Sequence, residues 1–413
     1  MAAQHTRPTD RTAFEIALIC ALRIESDAVE AMFDEFWEDD DRGYDKAPGD
    51  PNSYTLGRIG RHNVVMAYMP GMGKASSAGV AASFRASFPN IRLGLVVGVC
   101  GGVPQPTIQD EEIFLGDIII STGVVQFDFG SQLADRVIRK DTLQDSLGRP
   151  NQEIRAFLRK LQGWRGRSTL KQHISTYITA ICKIKSFSNW HCPGIDEDKL
   201  YQHNYRHKHH DEATCTICAQ RTQLDSPVCD AALGATCLQL QCDEHYLVTR
   251  ERAKSISTNS APPDDVASLV VPELHFGLIA SGDVVMKSAM HRDRVAAEEQ
   301  VIGFEMEGAG VWDNFPTIVI KGVCDYADSH KNKKWQNYAA VTAAACAKAM
   351  LGEWRGIEKA FIPAAQSIRD DLRSRVDIHE DRSQSGAVFH NYSNVGNQVG
   401  MQDIAGDLNI SNA

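Results

Sequence analysis

Two aspartates follow an apolar strand near the end of the chain, where a carboxyl group could exchange a proton with a ligand. Residues 317–323 form an apolar, β-branched run, which is typical of a buried parallel strand. Asp325 and Asp328 come next and therefore lie on the turn at the carboxyl edge of the predicted sheet. Open α/β sheets bind their ligands at this edge. An aspartate in such a turn is also a common turn former or helix cap, so a functional role needs further support.

Three other segments supply that support. Residues 14–27 form an apolar strand that runs into Glu25, and residues 64–74 end in a glycine turn. Residues 304–310, FEMEGAG, place two glutamates around a methionine. Strand, glycine turn, acidic motif and strand-end aspartate follow one another in this order along the chain.

This ordered set of motifs resembles the nucleoside phosphorylase and nucleosidase family, in particular its methylthioadenosine and adenosylhomocysteine nucleosidase branch. Residues 93–102 (LGLVVGVCGG) and 116–122 (GDIIIST) extend the resemblance, which covers about 13–130 and 271–350. Together the motifs are specific for this family, whereas each motif alone also occurs in unrelated proteins. The resemblance implies cleavage of the bond between a purine and its ribose, with no cofactor for catalysis.

The strand and helix pattern predicts the scaffold that positions these residues. Residues 13–130 alternate short apolar strands with helical stretches, which indicates repeated β–α units. Residues 271–360 resume the pattern and end in an alanine-rich helix. We therefore expect an α/β protein with a nucleoside phosphorylase-like three-layer fold, in which helices flank a mixed central β-sheet.

Three segments fall outside this catalytic domain. Residues 131–270 form a basic, Cys/His-containing insertion, residues 361–386 a charged linker, and residues 387–413 a Gly/Asn/Gln-rich tail. The tail has β-prone apolar residues and no proline, and it is similar to short motifs at the ends of fungal immune proteins. It is either a disordered tail or an amyloid-like assembly motif. In the second case the expected partner is an immune receptor that carries a similar motif.

Composition and charge exclude several classes. A chain of 413 residues with 43% apolar and 23% charged residues is ordinary for a globular protein. No run approaches a membrane span and the polar start MAAQHTRPTDRT lacks a signal peptide's apolar core, which predicts a cytoplasmic protein. Eleven cysteines, spread over strands and loops, favour reduced thiols. A net charge of −10 argues against nucleic-acid binding.

The resemblance implies a role for each site residue. Cleavage of a purine–ribose bond needs an acid for the departing base, stabilisation of an oxocarbenium-like sugar, and a nucleophile on the opposite side of the sugar. Asp325 would deliver a proton toward purine N7, and Glu25 would position or deprotonate the attacking water. Glu307 would bind the ribose hydroxyls, with Met306 packed against the sugar. The other implied substrate-binding residues are Phe304, Val285, Met286, Cys100, Gly101 and Gly73.

The attacking group is water or phosphate, and the residues favour water. Phosphorylases of this family hold phosphate with arginines, one of them just before the turn that is 98–102 here. Val96 and Val97 occupy that place, and Glu25 would repel a phosphate ion. Arg23 keeps phosphorolysis open as an alternative. A structural role for Glu25 in the first turn of a helix also stays open.

A basic segment bears on the choice of substrate. Residues 136–185 contain twelve Lys or Arg and three acids, which indicates either a solvated helical face or a site for a polyphosphate at the 5′ position. The candidate polyphosphate ligands are Arg136, Arg139 and Lys140. Some fungal and bacterial proteins that resemble this chain are immune effectors that cleave ATP. The resemblance therefore implies ATP or dATP as substrate, with an unphosphorylated purine nucleoside, methylthioadenosine or adenosylhomocysteine as alternatives.

The insertion also contains candidate metal ligands. Cys215 and Cys218 form a CxxC pair, and Cys242 and His245 are likewise separated by two residues. This spacing is typical of structural zinc sites, with free thiols as the alternative. A metal here would stabilise the insertion and take no part in the cleavage of the glycosidic bond.

A second class of function stays open, namely a catalytically silent recognition module whose tail nucleates assembly. The presence of Asp325, Glu25 and Glu307 speaks against it. Members of the resembling family assemble as dimers, trimers or hexamers, so we expect a homo-oligomer.

Overall fold

The computed structural model describes residues 7–37, 44–107, 111–134, 137–211, 213–221, 223, 226–253 and 271–355. Residues up to Trp354 form one unit of the chain, and Arg355–Ala413 is a second unit of which only Arg355 is described. The predicted linker 361–386 and tail 387–413 therefore lie outside the described residues, and so does Arg136. None of the helices in the described ranges combines the length and the apolar character that crossing a bilayer requires.

Short strands alternate with helices in the first and last thirds of the described chain. The strands are β1 (Ile16–Cys20), β2 (Glu35–Phe36), β3 (Tyr54–Ile59), β4 (His62–Tyr68), β5 (Leu93–Gly102), β6 (Ile118–Gln126), β7 (Gly130–Gln132), β8 (Val137–Arg139), β9 (Leu274–Ser281), β10 (Val301–Glu305) and β11 (Thr317–Asp325). The helices are α1 (Arg23–Glu30), α2 (Lys74–Ser87), α3 (Gln152–Gln162), α4 (Trp164–Cys182), α5 (Thr216–Gln220), α6 (Asp230–Gly234), α7 (Ala289–Glu299), α8 (Gly308–Val311) and α9 (Gln336–Glu353).

Nine strands form one mixed sheet in the order β10-β9-β6-β11-β5-β1-β4-β3-β2. Strand β1 runs parallel to β4 and β5, and β11 runs parallel to β5 but antiparallel to β6. Strand β10 also pairs antiparallel with β5, so that β10, β9, β6, β11 and β5 close into a ring. The predicted α/β fold with a mixed central sheet is confirmed.

The central strands are buried on both faces, which explains their continuous apolar sequences. All five residues of β1 and all nine of β11 are buried. Helix α9 packs on β11 and β5 through its alanines. Gly322 in β11 permits this close approach, because a Cβ there would lie 2.0 Å from the carbonyl oxygen of Ala339. This packing fixes the positions of the carboxyl ends of β5 and β11.

The first part of the predicted insertion packs on the same core. Helices α3 and α4 bury one apolar face each, and α4 contacts α9. Arg155, Arg159 and Lys160 of α3 are exposed on its opposite face, as the solvated-face interpretation expects. The division of the chain at residue 131 stays a prediction, and the structure adds that these two helices belong to the main hydrophobic core.

Candidate active site

A cavity of about 240 Å³ opens where the carboxyl ends of β1, β5, β10 and β11 meet. Strands that end at one edge bring residues from distant parts of the chain together, which is how this sheet assembles its site. Nine of the predicted residues line the cavity. They are Glu25, Cys100, Gly101, Val285, Met286, Phe304, Met306, Glu307 and Asp325.

Glu25 is buried in the first turn of α1 and is held by backbone donors. Its Oε2 accepts hydrogen bonds from the N–H groups of Ala21 at 2.9 Å and Leu22 at 2.8 Å. Its Oε1 accepts one from Val99 at 2.8 Å. Gly98 makes room for the carboxylate, because a Cβ at that position would lie 2.1 Å from Oε1. The two oxygens offer about four lone pairs, so one lone pair of Oε1 stays free for a further donor such as water.

Asp325 ends β11 with one carboxylate oxygen fixed by the backbone. Its Oδ1 accepts a hydrogen bond from the N–H of Ala327 at 2.9 Å, and its Oδ2 lies 3.1 Å from Nζ of Lys331. Gly101 of the neighbouring strand permits this turn, because a Cβ there would lie 2.8 Å from Cβ of Ala327. Oδ2 also accepts a hydrogen bond from Sγ of Cys324 at 3.4 Å, so side chains alone contact this oxygen, whereas the backbone holds Oδ1.

A buried lysine compensates the carboxylates on the other side of the cavity. Nζ of Lys321 lies 2.9 Å from Oε2 of Glu307 and 3.6 Å from Oε2 of Glu305. Glu305 also accepts hydrogen bonds from the N–H groups of Glu307 at 3.0 Å and Gly308 at 2.9 Å. These bonds fix Glu307 at the cavity wall, at the start of α8.

Burial and these charges act in opposite directions on the acids. Burial raises the pKa of Glu25 above that of an ordinary glutamate, and Lys321 partly offsets the change. Burial likewise raises the pKa of Glu305, again opposed by Lys321. Burial works against the charge of Lys321 itself, but Glu307, Glu25 and Glu305 together raise its pKa above the usual value. Lys321 therefore stays protonated, and Glu25 is a stronger base than an exposed carboxylate.

The rest of the wall is apolar. Phe304 and Cys100 are buried, Met306 and Met286 are half-buried, and Val285 is exposed. Burial raises the pKa of Cys100, so its thiol stays neutral beside the acids. The cavity therefore combines apolar surface for a flat ring with carboxylates for hydroxyl and amine groups.

Gly73 is not among the residues that line this cavity, although the resemblance implies that it binds substrate. It precedes α2 with φ +106°, and a Cβ there would lie 2.9 Å from Oδ1 of Asp283. Asp283 accepts a hydrogen bond from the N–H of Lys74 at 2.7 Å. The neighbouring Met72 contributes to the wall instead. The left-handed backbone of Gly73 shapes the turn that presents Met72.

Two of the predicted polyphosphate ligands, Arg139 and Lys140, are described, and neither lines the first cavity. Arg139 donates a hydrogen bond to Oε1 of Glu299 at 2.7 Å, and Nζ of Lys140 lies 5.4 Å from the ring centre of Phe129. Arg139 lines a second cavity of about 1000 Å³. The two cavities share Val284, Val285 and Met286. Arg136 lies outside the described residues.

Arg23 and Asp328 do not line this cavity. Arg23 is 90% exposed and pairs with Asp27 at 3.4 Å, so it does not face the cavity. Asp328 is buried but accepts a hydrogen bond from the N–H of His330 at 2.9 Å, which is a structural role in the turn. Burial raises the pKa of Asp328, with His330 and Arg292 opposing the change.

Sequence reasoning missed three residues of the site. Lys321 interrupts the apolar run of β11, and a charge within a buried strand requires a partner, so this signal was present in the sequence. Glu305 belongs to the predicted acidic motif but was given no role. Lys331 carries no such signal, because nothing local distinguishes it from Lys333 and Lys334.

The structure does not bring the four predicted zinc ligands, Cys215, Cys218, Cys242 and His245, into one group. Cys215 and Cys218 lie with His209 and Cys229, and Cys242 lies with His207, Cys237 and His330. His245 is 94% exposed, and its Nδ1 lies 3.0 Å from Oδ1 of Asp243. The spacing of Cys242 and His245 suits a metal, but His245 belongs to neither group of candidate ligands in the described chain.

The fold and the cavity define an α/β protein with a carboxylate-rich site at the ends of its strands. The family model described as the phosphorylase superfamily matches residues 15–161, so this part of the chain is similar to that superfamily. A nucleotide-binding leucine-rich repeat (NLR)-like protein of Hyaloscypha variabilis is 34% identical over 344 residues, which are 82% of this chain. The chain spans 29% of the length of that relative.

Solved structures of nucleosidases are similar at low sequence identity. A Helicobacter pylori methylthioadenosine nucleosidase structure is 16% identical, with a TM-score of 0.46 over 83% of this chain and 99% of that chain. The futalosine hydrolase of Helicobacter pylori is 16% identical, with a TM-score of 0.45 over the same shares. An adenosylhomocysteine nucleosidase of Streptococcus pyogenes is 14% identical, with a TM-score of 0.47 over 83% of this chain and 98% of that chain.

Proposed function

We propose that the protein is an N-ribosyl hydrolase that cleaves adenine nucleotides, with ATP or dATP as substrate and adenine and the sugar 5′-triphosphate as products. One observation carries this proposal: Glu25, Glu307 and Asp325 line a single cavity at the carboxyl ends of four strands. In the reaction, a water oxygen bonds to C1′ while the bond between C1′ and N9 breaks. The bond electrons go to the purine, which receives a proton at N7.

Asp325 is the proton donor in this scheme. Its Oδ1 is held by the Ala327 N–H and its Oδ2 by Lys331, so the carboxyl group has one orientation toward the base. A general acid at the departing base lowers the barrier because the purine leaves as a neutral molecule. Lys331 is a positioning residue, since it acts through Asp325.

Glu25 activates the water. The three backbone N–H groups hold both carboxylate oxygens, and the raised pKa brings its basicity closer to neutral pH, where a general base works best. Glu307 receives the ribose hydroxyls. Hydrogen bonds to these hydroxyls strengthen as positive charge develops on the sugar, which lowers the barrier and does more than improve substrate binding.

The charge of the cavity supports water over phosphate as nucleophile. Within the described part of the chain, Lys331 is the one cationic side chain on the cavity wall, and it faces Asp325. Lys321 lies behind the wall and is matched by Glu305 and Glu307. A phosphate dianion needs forked or clustered donors, which these residues do not supply.

Two further observations support the triphosphate and the biological role. The second cavity adjoins the first, and its wall contains Arg139, Lys287 and Arg294 besides several acids, so it offers room and cations for a 5′ substituent. The likeness to an NLR-like fungal protein supports a role as an immune or cell-death effector. Cytoplasmic location, self-assembly and pairing with a motif-sharing immune receptor stay predictions.

Adenine release tests the proposal. Purified protein is incubated with ATP, dATP, AMP, adenosine and methylthioadenosine, with and without phosphate, and adenine is quantified by chromatography. We expect adenine from ATP or dATP in the absence of phosphate. Release from methylthioadenosine alone would reassign the substrate, and strict dependence on phosphate would contradict hydrolysis.

A further inference from the structure

The Cys/His-rich part of the chain contains two four-residue clusters outside the cavity. Cluster A consists of His209, Cys215, Cys218 and Cys229, and cluster B consists of His207, Cys237, Cys242 and His330. In each cluster the four candidate ligand atoms lie within 4.8 Å of one another. Four atoms at tetrahedral positions about 2.0 to 2.3 Å from one ion lie about 3.3 to 3.8 Å apart, so a small shift would complete either site.

Cluster A surrounds the imidazole of His209 with sulfur atoms. Nδ1 of His209 lies 3.4 Å from Sγ of Cys229 and 3.8 Å from Sγ of Cys218. Sγ of Cys215 accepts a hydrogen bond from the N–H of Cys218 at 3.5 Å. The CxxC pair begins α5 and Cys229 immediately precedes α6, so both helix starts carry ligands. Three sulfurs and one imidazole are a common zinc ligand set.

Cluster B joins the insertion to the loop that follows β11. Nδ1 of His207 lies 3.7 Å from Sγ of both Cys237 and Cys242, and Nδ1 of His330 lies 3.6 Å from Sγ of Cys237. Two sulfurs and two imidazoles again form a common zinc ligand set.

The Nε2 atoms of the two cluster B histidines contact backbone carbonyl oxygens. Nε2 of His207 lies 2.8 Å from the carbonyl oxygen of Ala235, and Nε2 of His330 lies 3.1 Å from that of Tyr205. A carbonyl oxygen can only accept, so each Nε2 carries the hydrogen. Each Nδ1 then presents a lone pair toward the cysteines, which is the arrangement that orients histidine ligands in metal sites.

The segment around cluster A has only a small apolar core of its own in the described chain. Its separate hydrophobic cluster contains three buried residues in the described chain, Cys218, Ala232 and Leu240. Helices α5 and α6 have five residues each, far below the length at which a helix is stable alone. Segments with so small an apolar core usually need metals or disulfides to fold, and all eleven cysteines are free of disulfide bonds here.

We propose that this protein binds two structural zinc ions, one in cluster A within the insertion and one in cluster B between the insertion and the loop after β11. Cluster B also sets the position of the catalytic acid. His330 precedes Lys331, whose Nζ lies 3.1 Å from Oδ2 of Asp325, so an ion at His330 fixes the backbone that carries Lys331. The metal sites stand independently of the proposed function, and the effect on catalysis rests on it.

Metal content tests the two sites directly. The purified chain of 413 residues is dialysed against metal-free buffer and zinc is measured by mass spectrometry, with about two ions per chain expected. Replacing Cys215 and Cys218 by serine should remove one ion, and replacing Cys237 and Cys242 should remove the other. His245→Ala and Cys192→Ser are matched controls outside both clusters and should keep both ions. A chain without bound zinc, or disulfides within the clusters, would overturn the proposal.

A conservative variant separates ligation from simple packing at His330. His330→Cys keeps a zinc ligand and should retain the cluster B ion, whereas His330→Ser should lose it. Because the metal content is measured without substrate, its outcome does not depend on the proposed enzymatic activity. A His330→Ser chain that is folded by circular dichroism and keeps both ions would contradict the assignment of His330.

Hydrogen exchange and kcat test the link between cluster B and Asp325. Loss of the cluster B ion should increase hydrogen exchange in residues 326–334 and lower kcat for adenine release by up to about tenfold, the loss expected when Lys331 no longer orients Asp325. Loss of the cluster A ion should leave kcat within about threefold, a much smaller change than displacement of a reacting group causes. Equal effects from the two clusters would overturn the link.

Discussion

The strand-end cavity and the Cys/His clusters are two ways of holding reactive side chains in place. In the cavity, Glu25 and Asp325 are fixed by backbone N–H groups of strands and turns that are packed on all sides. In the clusters, cysteines and histidines lie on short helices and loops around three buried residues. Exchange of Glu25 or Asp325 should therefore affect chemistry more than folding, whereas exchange of a metal ligand in a segment with a small core should unfold that segment locally.

Asp325→Asn should break the chemistry and leave the sheet intact. The amide cannot donate the proton that the departing purine needs, so we expect kcat for adenine release to fall by about 10³- to 10⁴-fold. Circular dichroism and the melting temperature should stay close to those of the unaltered protein. Asp313→Asn, at an exposed position, is the matched control and should keep full activity.

Lys321→Met should affect stability, in contrast to Asp325→Asn, because it removes a buried charge from the central sheet. Glu305 and Glu307 would then lie in the core without their cation, and we expect the free energy of unfolding to fall by about 3–5 kcal/mol. Denaturant unfolding measures this change. Lys160→Met breaks an exposed ion pair with Glu353 and should change stability by less than about 1 kcal/mol. Similar losses of stability in both variants would mean that Lys321 is not needed to compensate Glu305 and Glu307.

Glu25→Gln should lower kcat by about 10²- to 10³-fold because the amide cannot accept a proton from water. Activity needs the ionised form of Glu25, and burial raises its pKa, so activity should decline with falling pH at a higher pH than for an ordinary glutamate. Initial rates across pH measure this limb. Glu35→Gln, which alters an exposed acid, should keep the profile of the unaltered protein. An acid limb that persists unchanged in Glu25→Gln would assign the titration to another group.

Lys331→Met should have the smallest effect of the four. It removes the contact that orients Oδ2 of Asp325 but leaves the acid in place, so we expect kcat to fall by about tenfold with little change in KM. Steady-state kinetics separate the two constants, and Lys333→Met is the matched control. A loss as large as that of Asp325→Asn would mean that Lys331 itself supplies the proton.

The sequence revealed the residues of the cavity because strands place side chains by local rules. The apolar run before Asp325 and the strand before Glu25 locate both acids at one sheet edge without knowledge of the partner strands. The same reasoning failed for Gly73, which shapes a turn and leaves the wall to Met72. Local rules identify the edge of a sheet, but they do not tell which atom at that edge faces the ligand.

The clusters show why the rest could not be predicted. Cys215 and Cys218 are close in sequence, so their spacing indicates a common site. His330 is 93 residues from Cys237, and only the folded chain brings them together. His245 had a suitable spacing from Cys242 but lies in solvent. Ligand sets from distant parts of the chain depend on tertiary structure. A rule based on sequence spacing contains no information about it.

The most direct test of the central claim is to identify the sugar product formed from ATP. The protein is incubated with ATP in phosphate-free buffer and then with added phosphate, and the products are analysed by chromatography and mass spectrometry. Hydrolysis predicts adenine and ribose 5′-triphosphate in equal amounts, at a rate that phosphate does not change and that Asp325→Asn lowers by about 10³- to 10⁴-fold. A sugar product that carries an added phosphate at C1′, or adenine that forms only when phosphate is present, would contradict the account.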